Sequence, residues 1–215
     1  DCGSDLKALT TRARRDGRDY VIDGTKMFIS NASSGNFLVV AARTGEAGSR
    51  GISLIAVPTE ACPGLRVTPL KKIGMHASDT CEVQFDGVRV PQSHLLGERE
   101  GEGFIQLMSQ LPYERTLLGV IAAGVIDRAL ELTVAYTRER KAFGQPLAAL
   151  QNTRFKLAEC ATLAHVVRTF INDSIQRLID GRLDAEAAYM IKWWCTEQQC
   201  KVVDECLQLF GGYGY

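Results

Sequence analysis

The sequence lacks the features that define several large classes of protein. No apolar run approaches the roughly 20 residues that a membrane-spanning helix needs. Lysine plus arginine number 25 and aspartate plus glutamate also number 25, so no net charge attracts the chain to nucleic acid. The three histidines have no mutual spacing that suggests a metal site. We therefore expect no membrane span, no nucleic-acid partner and no bound metal.

Cysteine is present, but it forms no recognisable framework. The seven cysteines are an odd set at irregular spacing, and none lies in a C-x-x-C pair with histidine partners. This usage is typical of a reduced, intracellular protein rather than of a secreted protein held together by disulfides.

The hydrophobic pattern changes along the chain. Up to about residue 95, short apolar runs alternate with polar residues, and Asp-Gly pairs at Asp16-Gly17, Asp23-Gly24 and Asp86-Gly87 predict tight hairpin turns. No helix-length segment interrupts these runs, which argues against a parallel sheet with crossover helices. The pattern predicts an antiparallel β-sandwich or barrel-like domain over residues 1–95.

The second half, residues 103–215, has the period of helices. One helix is expected from Gly103 to about Arg140, and a second from Pro146 to about Asp180. Asp184 is a candidate N-cap for a third helix that ends at two glycines. The chain is thus expected to be α+β, with an antiparallel helical bundle that is incomplete because a fourth helix would fill its groove.

Both ends of the chain have loop-like composition. Residues 1–5 contain no methionine and are of the kind that forms loops, and the glycine-rich residues 211–215 stop in another loop. We therefore expect both ends to be truncations.

Glu114 is the residue with the most unusual position. It shares an apolar helical stripe with Leu107, Leu111 and Leu118. Burial there would raise the pKa of the carboxyl group and bring it towards the range of a general base at neutral pH. The alternative is that Glu114 pairs with an arginine inside the bundle, and the pattern alone leaves both interpretations open.

Three other places could contact a ligand. Strand alternation would put Phe28 and Ser30 on one face, where a ring and a hydroxyl could meet a flat ligand, although a lone phenylalanine is more often core. Arg140 belongs to a basic cluster that could bind an anion or could simply complement a helix C-terminus. Gln208 and the glycines that follow it could hold a pyrophosphate or form a plain helix cap.

Taken together and in order, six segments resemble the acyl-CoA dehydrogenase family. Gly3-Ser4-Asp5 resembles the end of its E-P-x-x-G-S-D loop, residues 23–31 its G-x-K-x-[WF]-I-[TS]-N strand, and residues 85–91 its F-x-x-V-x-V-P hairpin. Residues 140–144, Gln151 and residues 208–215 are similar to its R-x-x-F-G, Q and Q-x-x-G-G-x-G-[YF] segments.

The resemblance implies a flavoprotein with FAD that removes the α-hydrogen of an acyl-CoA as a proton, while the β-hydrogen leaves as hydride to flavin N5. The product would be the trans-2-enoyl-CoA. Phe28 would stack on the isoalloxazine, with Ile29 beside it, and Ser30 would hydrogen-bond near N5. Ser4 and Arg115 would contact the substrate. The remaining expected cofactor residues, which would bind the FAD of a neighbouring subunit, are Arg140, Phe143, Gln151, Gln208, Gly211 and Gly212.

The resemblance also bears on the base and on partners. Leu111-Pro112-Tyr113-Glu114-Arg115 resembles the L-x-x-E-R arrangement of long-chain and isovaleryl-type members, closest to the long-chain type, in which the first long helix supplies the base. Most members carry their base at a position that would lie beyond Tyr215. The family implies a homotetramer with an electron-transferring flavoprotein as acceptor, in the mitochondrial matrix of a eukaryote or the cytoplasm of a bacterium. The alternatives are an acyl-CoA oxidase, a flavin monooxygenase, or a non-catalytic binding protein on the same fold.

Overall fold

The computed structural model describes residues 3–215, so the opening Asp1 and Cys2 lie outside it. The chain divides into two compact units, one that ends at Ser109 and one that begins at Gln110. The first unit is built on a β-sheet and the second on helices. This confirms the predicted α+β class and the order of the two parts, while the domain limits of 1–95 and 103–215 stay predictions.

Six strands form one sheet in the first unit. They are β1 (Arg12–Asp16), β2 (Asp19–Ser30), β3 (Phe37–Arg43), β4 (Ile52–Pro58), β5 (Leu65–Pro69) and β6 (Thr80–Pro91). Their order across the sheet is β4-β3-β1-β2-β6-β5. Neighbours run antiparallel except β1 and β3, which are parallel and meet only at Arg12 and Arg43. The expectation of a purely antiparallel domain is therefore wrong at this one junction, since β1 pairs along its length with β2 and reaches β3 only with its first residue.

Strands from both edges of the sheet contribute to one hydrophobic core. Ile55 and Val57 from the first strand in the order are buried in it, and Leu65 and Val67 from the last strand are partly buried and pack against it. Strands at opposite edges can share a core only if the sheet is strongly curved. The barrel-like form of the prediction describes this unit better than two separate stacked sheets do.

Only one of the three predicted Asp-Gly hairpins is a hairpin. Asp16-Gly17 joins β1 to β2 as predicted, whereas Asp23-Gly24 and Asp86-Gly87 lie inside β2 and β6, where the register shifts between Ile22 and Gly24. The side chain of Asp23 accepts a hydrogen bond from the Gly87 N–H at 2.8 Å, so the two pairs meet across the ladder as a bulge. A Cβ on Gly24 would lie 2.8 Å from the Thr11 Cα, which explains this glycine by close packing rather than by a turn.

Three long helices follow: α1 (Gly103–Glu139), α2 (Gln151–Ile179) and α3 (Ala185–Leu209). The side chain of Asp184 accepts from the Ala187 N–H at 2.6 Å, which confirms it as the N-cap of α3. The predicted start of the second helix at Pro146 is wrong, because Gln145–Pro146 forms a short strand that pairs with Lys141–Ala142.

Contacts within the second unit show that α2 runs antiparallel to α3. Lys156 near the start of α2 pairs with Glu205 near the end of α3 at 2.8 Å. Phe170 further along α2 packs edge-on against Trp194, which is earlier in α3, with ring centroids 6.2 Å apart. This is the arrangement that the short connections predicted.

The face of α1 that is buried in this unit differs from the predicted apolar stripe. Its buried residues from Gln110 onward are Thr116, Gly119, Ala122, Ala123, Ile126, Thr133 and Thr137. Leu118 of the predicted stripe is exposed, and so are the apolar residues Ile121 and Val125 that follow it on the helix. Small residues therefore make the close contacts with α2 and α3, and the larger apolar side chains lie on a face that the helices of this unit leave uncovered.

The described residues have three further properties. None of the helices between Gly3 and Tyr215 combines the length and hydropathy of a membrane span. The same residues contain no group of three or more His, Cys, Asp or Glu placed to hold a metal ion. All six described cysteines are free, and burial raises the pKa of the Cys160 and Cys195 thiols to about 11, which makes them poor nucleophiles.

Two glycines of α1 give a matched test of this packing. A Cβ on Gly119 would lie 2.4 Å from Ile191 Cγ2 and 2.7 Å from Ile171 Cδ1, whereas a Cβ on Gly124 would meet no atom within 4 Å. We expect Gly119→Ala to lower the free energy of unfolding by about 1–3 kcal/mol. Gly124→Ala should raise it by up to about 1 kcal/mol, because alanine favours the helix. Urea unfolding of both variants beside the parent chain measures this, and a change of the same sign in both would contradict the packing described.

Candidate functional site

Phe28 is presented outward from the sheet. The register of β2 shifts between Lys26 and Ile29, and Phe28 lies in this bulge with φ 61° and 73% of its surface exposed. The interpretation of Phe28 as a core residue is therefore wrong. The alternation argument is also wrong here, because a bulge breaks the two-residue period that would place Phe28 and Ser30 on one face. A left-handed backbone at an exposed aromatic residue is a strained arrangement of the kind found at functional sites.

Two cavities adjoin this bulge. The first has a volume of about 550 Å³ and the second about 530 Å³. Both volumes suit a small-molecule ligand. Lys26 and Ile29 line both cavities. Residues lining only the first include Gly3, Thr10, Thr11, Met27 and Phe28. Residues lining only the second include Ser30, Asn31, Phe37, Val39 and Leu107.

The structure thus brings the three predicted residues of β2 to neighbouring cavities, together with the glycine of the opening Gly-Ser-Asp segment. Ser4 itself is exposed and lines neither cavity. Lys26 was not among the predicted site residues. Lys26 directly precedes Met27 and Phe28 in the strand motif. This position is the signal that could have indicated it.

Arg43 fixes the segment that follows Ser4. Its guanidinium donates to the backbone carbonyls of Lys7 at 2.8 Å and Leu9 at 3.1 Å. It also donates to those of Glu46 at 2.8 Å and Gly48 at 3.2 Å in the loop between β3 and β4. One planar cation therefore ties the two loops together, a role for which the fork of donors in arginine is suited.

A third cavity, of about 590 Å³, lies in the helical unit. It is lined by four of the six cofactor residues predicted for the second half, namely Arg140, Gln208, Gly211 and Gly212. The other two are not part of it. Phe143 is 91% exposed with φ 54°, and Gln151 is exposed at the first position of α2.

The chemistry of this third cavity fits a pyrophosphate. Arg140 supplies a permanent positive charge and Gln208 an amide, while a Cβ on Gly211 or Gly212 would meet nothing within 4 Å, so a ligand can approach the backbone there. The backbone at position 211 is left-handed, with φ 58°, a conformation that glycine adopts without strain. These residues are thus of the right kind to hold the diphosphate of FAD.

Three aromatic residues line this cavity and were not among the predicted site residues, namely Tyr136, Phe210 and Tyr213. The ring of Tyr136 stacks on Phe210 with centroids 4.3 Å apart, and its hydroxyl donates to the Phe210 carbonyl at 3.3 Å. The Arg140 guanidinium lies 5.9 Å from the Tyr213 ring centroid. Tyr136 is four residues before Arg140 and so on the same face of α1, which is the signal that could have indicated it.

Within the second unit the Glu114 side chain is exposed. The burial predicted from its apolar neighbours on the helix is therefore wrong for this unit. The stripe itself is the uncovered face of α1, where Tyr113, Leu117 and Leu118 are also exposed. No described residue forms an ion pair with Glu114, which weighs against the alternative that it is a structural partner of an arginine. Arg115 instead lies over the Tyr189 ring, 4.5 Å from its centroid.

Comparison with known proteins identifies the family. The model of the middle domain of acyl-CoA dehydrogenases matches residues 1–88, and that of their C-terminal domain matches residues 101–215. The long-chain specific acyl-CoA dehydrogenase of Rattus norvegicus mitochondria is 40% identical over 99% of this chain and 50% of its own length. The chain therefore spans about half the length of this relative.

Solved structures of other proteins indicate the same family. A probable acyl-CoA dehydrogenase from Mycobacterium abscessus matches with a TM-score of 0.96 and 40% identity, over 100% of this chain and 57% of its own. A glutaryl-CoA dehydrogenase from Mycobacterium smegmatis, solved in complex with FADH2, matches with a TM-score of 0.90 and 31% identity, over 99% of this chain and 54% of its own. This chain thus belongs to the acyl-CoA dehydrogenase family, of which it contains middle and C-terminal domain sequence.

Proposed function

We propose that the complete protein catalyses the FAD-dependent α,β-dehydrogenation of an acyl-CoA thioester to the trans-2-enoyl-CoA. The observation that carries this proposal is the third cavity, where Arg140 and the segment 208–212, nearly seventy residues apart in sequence, meet around a space with pyrophosphate-binding chemistry. The M. smegmatis relative, whose structure contains FADH2, supports the same cofactor.

Different residues of this chain would hold different parts of the cofactor. Arg140, Gln208, Gly211 and Gly212 would hold the diphosphate, with Phe143 and Gln151 at the periphery. Phe28, Ile29 and Ser30 would contact the ring system, since they line the cavities beside the β2 bulge. Bound FAD supplies the acceptor for the hydride that leaves the β-carbon of the substrate.

Glu114 is the base in this proposal. Its carboxylate has no ion-pair partner in the described chain and is therefore free to accept the α-proton of the thioester. The exposed side chains of Tyr113, Leu117 and Leu118 beside it offer an apolar surface to the acyl chain. Arg115, held over Tyr189, and Ser4 would contact the polar part of the substrate.

Assembly, partner and compartment follow from the family rather than from this chain alone. We propose a homotetramer in which one subunit supplies the β2 residues and a neighbour supplies the residues of the third cavity. The acceptor would be an electron-transferring flavoprotein. The rat relative is mitochondrial, so a eukaryotic source would place the protein in the mitochondrial matrix and a bacterial source in the cytoplasm.

Anaerobic mixing of the complete protein with a saturated acyl-CoA tests this function. We expect the yellow flavin absorbance to bleach as one enoyl-CoA forms per flavin. Admission of oxygen after bleaching separates the alternatives, because an oxidase would recover its colour rapidly and form hydrogen peroxide. Absence of bleaching, in protein that contains FAD and binds acyl-CoA, would favour a non-catalytic binding protein instead.

A further inference from the structure

The turn that follows β2 is fixed by one carboxylate. β2 ends at Ser30, and Asn31 then adopts a left-handed backbone with φ 60°. Ser30 pairs across the ladder with Thr80, the first residue of β6, so the residue that precedes β6 lies beside this turn. That residue is Asp79.

Asp79 accepts hydrogen bonds through both its carboxylate and its backbone carbonyl. Its Oδ2 accepts from the Ser33 N–H at 2.7 Å and from the Ser33 hydroxyl at 2.5 Å. The same oxygen accepts from the Cys81 thiol at 3.3 Å, and the Asp79 carbonyl accepts from the Asn31 N–H at 3.4 Å. The two bonds from Ser33 hold the pKa of Asp79 at about 2, so the carboxylate is ionised near neutral pH.

These bonds bear on the cavity beside the turn. Ser30 and Asn31 line the second cavity of the β unit, next to the outward-facing Phe28. The turn has a second anchor in Ala32, which is buried in the core of the sheet. Loss of the Asp79 bonds should therefore loosen the direction of Ser30 and Asn31 without releasing the turn from the protein.

We propose that Asp79 is a positioning residue that sets the geometry of the ring-contacting segment 28–31 through Ser33 and Asn31. This inference rests on the proposed function, since it assigns these residues to the cofactor. Asp79 does not itself touch the cavity, as it is absent from the residues that line it. Asp79 acts indirectly, because it fixes the turn that carries Ser30 and Asn31, the polar residues that line the cavity.

The test uses Asp79→Asn in the complete protein, because asparagine keeps the size but removes the negative charge that strengthens both bonds from Ser33. Asp86→Asn is the matched control, since no described residue bonds to the Asp86 carboxylate and it lies within β6, the strand that Asp79 directly precedes. We expect Asp79→Asn to keep its FAD while the visible circular dichroism and the reduction potential of the flavin change. Flavin reduction by acyl-CoA should slow by about 10- to 100-fold with little change in KM, as expected for a misplaced contact.

Ser33→Ala provides the second variant. It removes one of the bonds to Asp79, so it should shift the same spectrum in the same direction by less, and the double variant should add little to Asp79→Asn. Parent protein that is not reduced by acyl-CoA would overturn the proposed function and this inference together. Parent protein that is reduced, with both variants matching it in spectrum and rate, would overturn the inference alone. Loss of cooperative unfolding in both variants would make Asp79 a folding residue, which also overturns it.

Discussion

Replacing Glu114 by glutamine in the complete protein should abolish flavin reduction by acyl-CoA while leaving FAD content and acyl-CoA binding intact. Glutamine keeps the size and much of the hydrogen bonding of glutamate but cannot take a proton. Hydride loss from the β-carbon requires removal of the α-proton, so we expect the rate to fall by about 10⁴-fold, the upper end of what positioned proton transfer contributes.

The contacts of Glu114 make the melting temperature a second useful measurement in this experiment. Because Glu114 forms no ion pair with the described residues, the substitution should leave the melting temperature close to that of the parent. A buried structural pair would behave differently, since removal of one partner costs about 3–5 kcal/mol. Stopped-flow bleaching and a thermal melt on the same sample therefore separate the two roles.

Glu131→Gln is the control for Glu114→Gln. Glu131 lies on the same helix and pairs with Arg128 at 2.7 Å on an exposed surface, where such pairs contribute little. It should bleach at the parental rate. Normal bleaching in Glu114→Gln itself would show that another residue of the complete protein is the base.

Replacement of Arg140 should have the second large effect, a loss of affinity for FAD. Arg140→Gln should raise the dissociation constant for FAD by about 10- to 100-fold, because a charge-assisted hydrogen bond to a phosphate contributes about 1.5–3 kcal/mol. Titration of the apoprotein with FAD, followed by flavin fluorescence, measures this constant. The effect should weaken at high salt if the lost contact is ionic.

Arg138→Gln is the matched control for this change. Arg138 is exposed in the last turn of the same helix but does not line the third cavity. If the basic cluster only complements the helix dipole, the two variants should lose similar, small amounts of stability and bind FAD equally well. Equal affinities would therefore contradict the proposed role of Arg140.

The comparison of Asp16-Gly17 with the other two Asp-Gly pairs shows what local sequence can predict. Each pair marks a place where the chain departs from a regular strand, and Gly17 and Gly87 both have left-handed backbones. Whether the chain reverses there or continues through a bulge depends on pairing with a distant strand. The bond from Gly87 to Asp23 is such a long-range contact, and nothing near either residue in sequence encodes it.

Helix α1 shows a similar limit. Its length and period were predicted from the sequence to within a residue or so, but it has apolar residues on two faces. The pattern favoured the face with large side chains around Leu118, and the structure buries the face with Gly119, Ala122 and Ala123 against α2 and α3. Small residues signal close helix packing only when the partner helices are known.

The candidate site was predicted mainly where the residues belong to extended motifs. Phe28, Arg140 and Gln208 stand in such motifs, and each lies at a cavity or in its lining, as described above. Asp79 and Tyr136 belong to no motif that was considered. Their importance comes from contacts with Ser33 and with Phe210, which only the folded chain brings together.

The bulge between Asp23 and Gly87 also constrains how this sequence can change in length. Val88 and Val90 point into the core while Arg89 points outward, where its guanidinium meets Asp16. Deletion of a single residue at Gly87 would shift this end of β6 by one position against β2 and turn Arg89 towards the core. Insertions and deletions that are tolerated during divergence should therefore lie outside this strand, while the number of residues between Thr80 and Pro91 stays fixed.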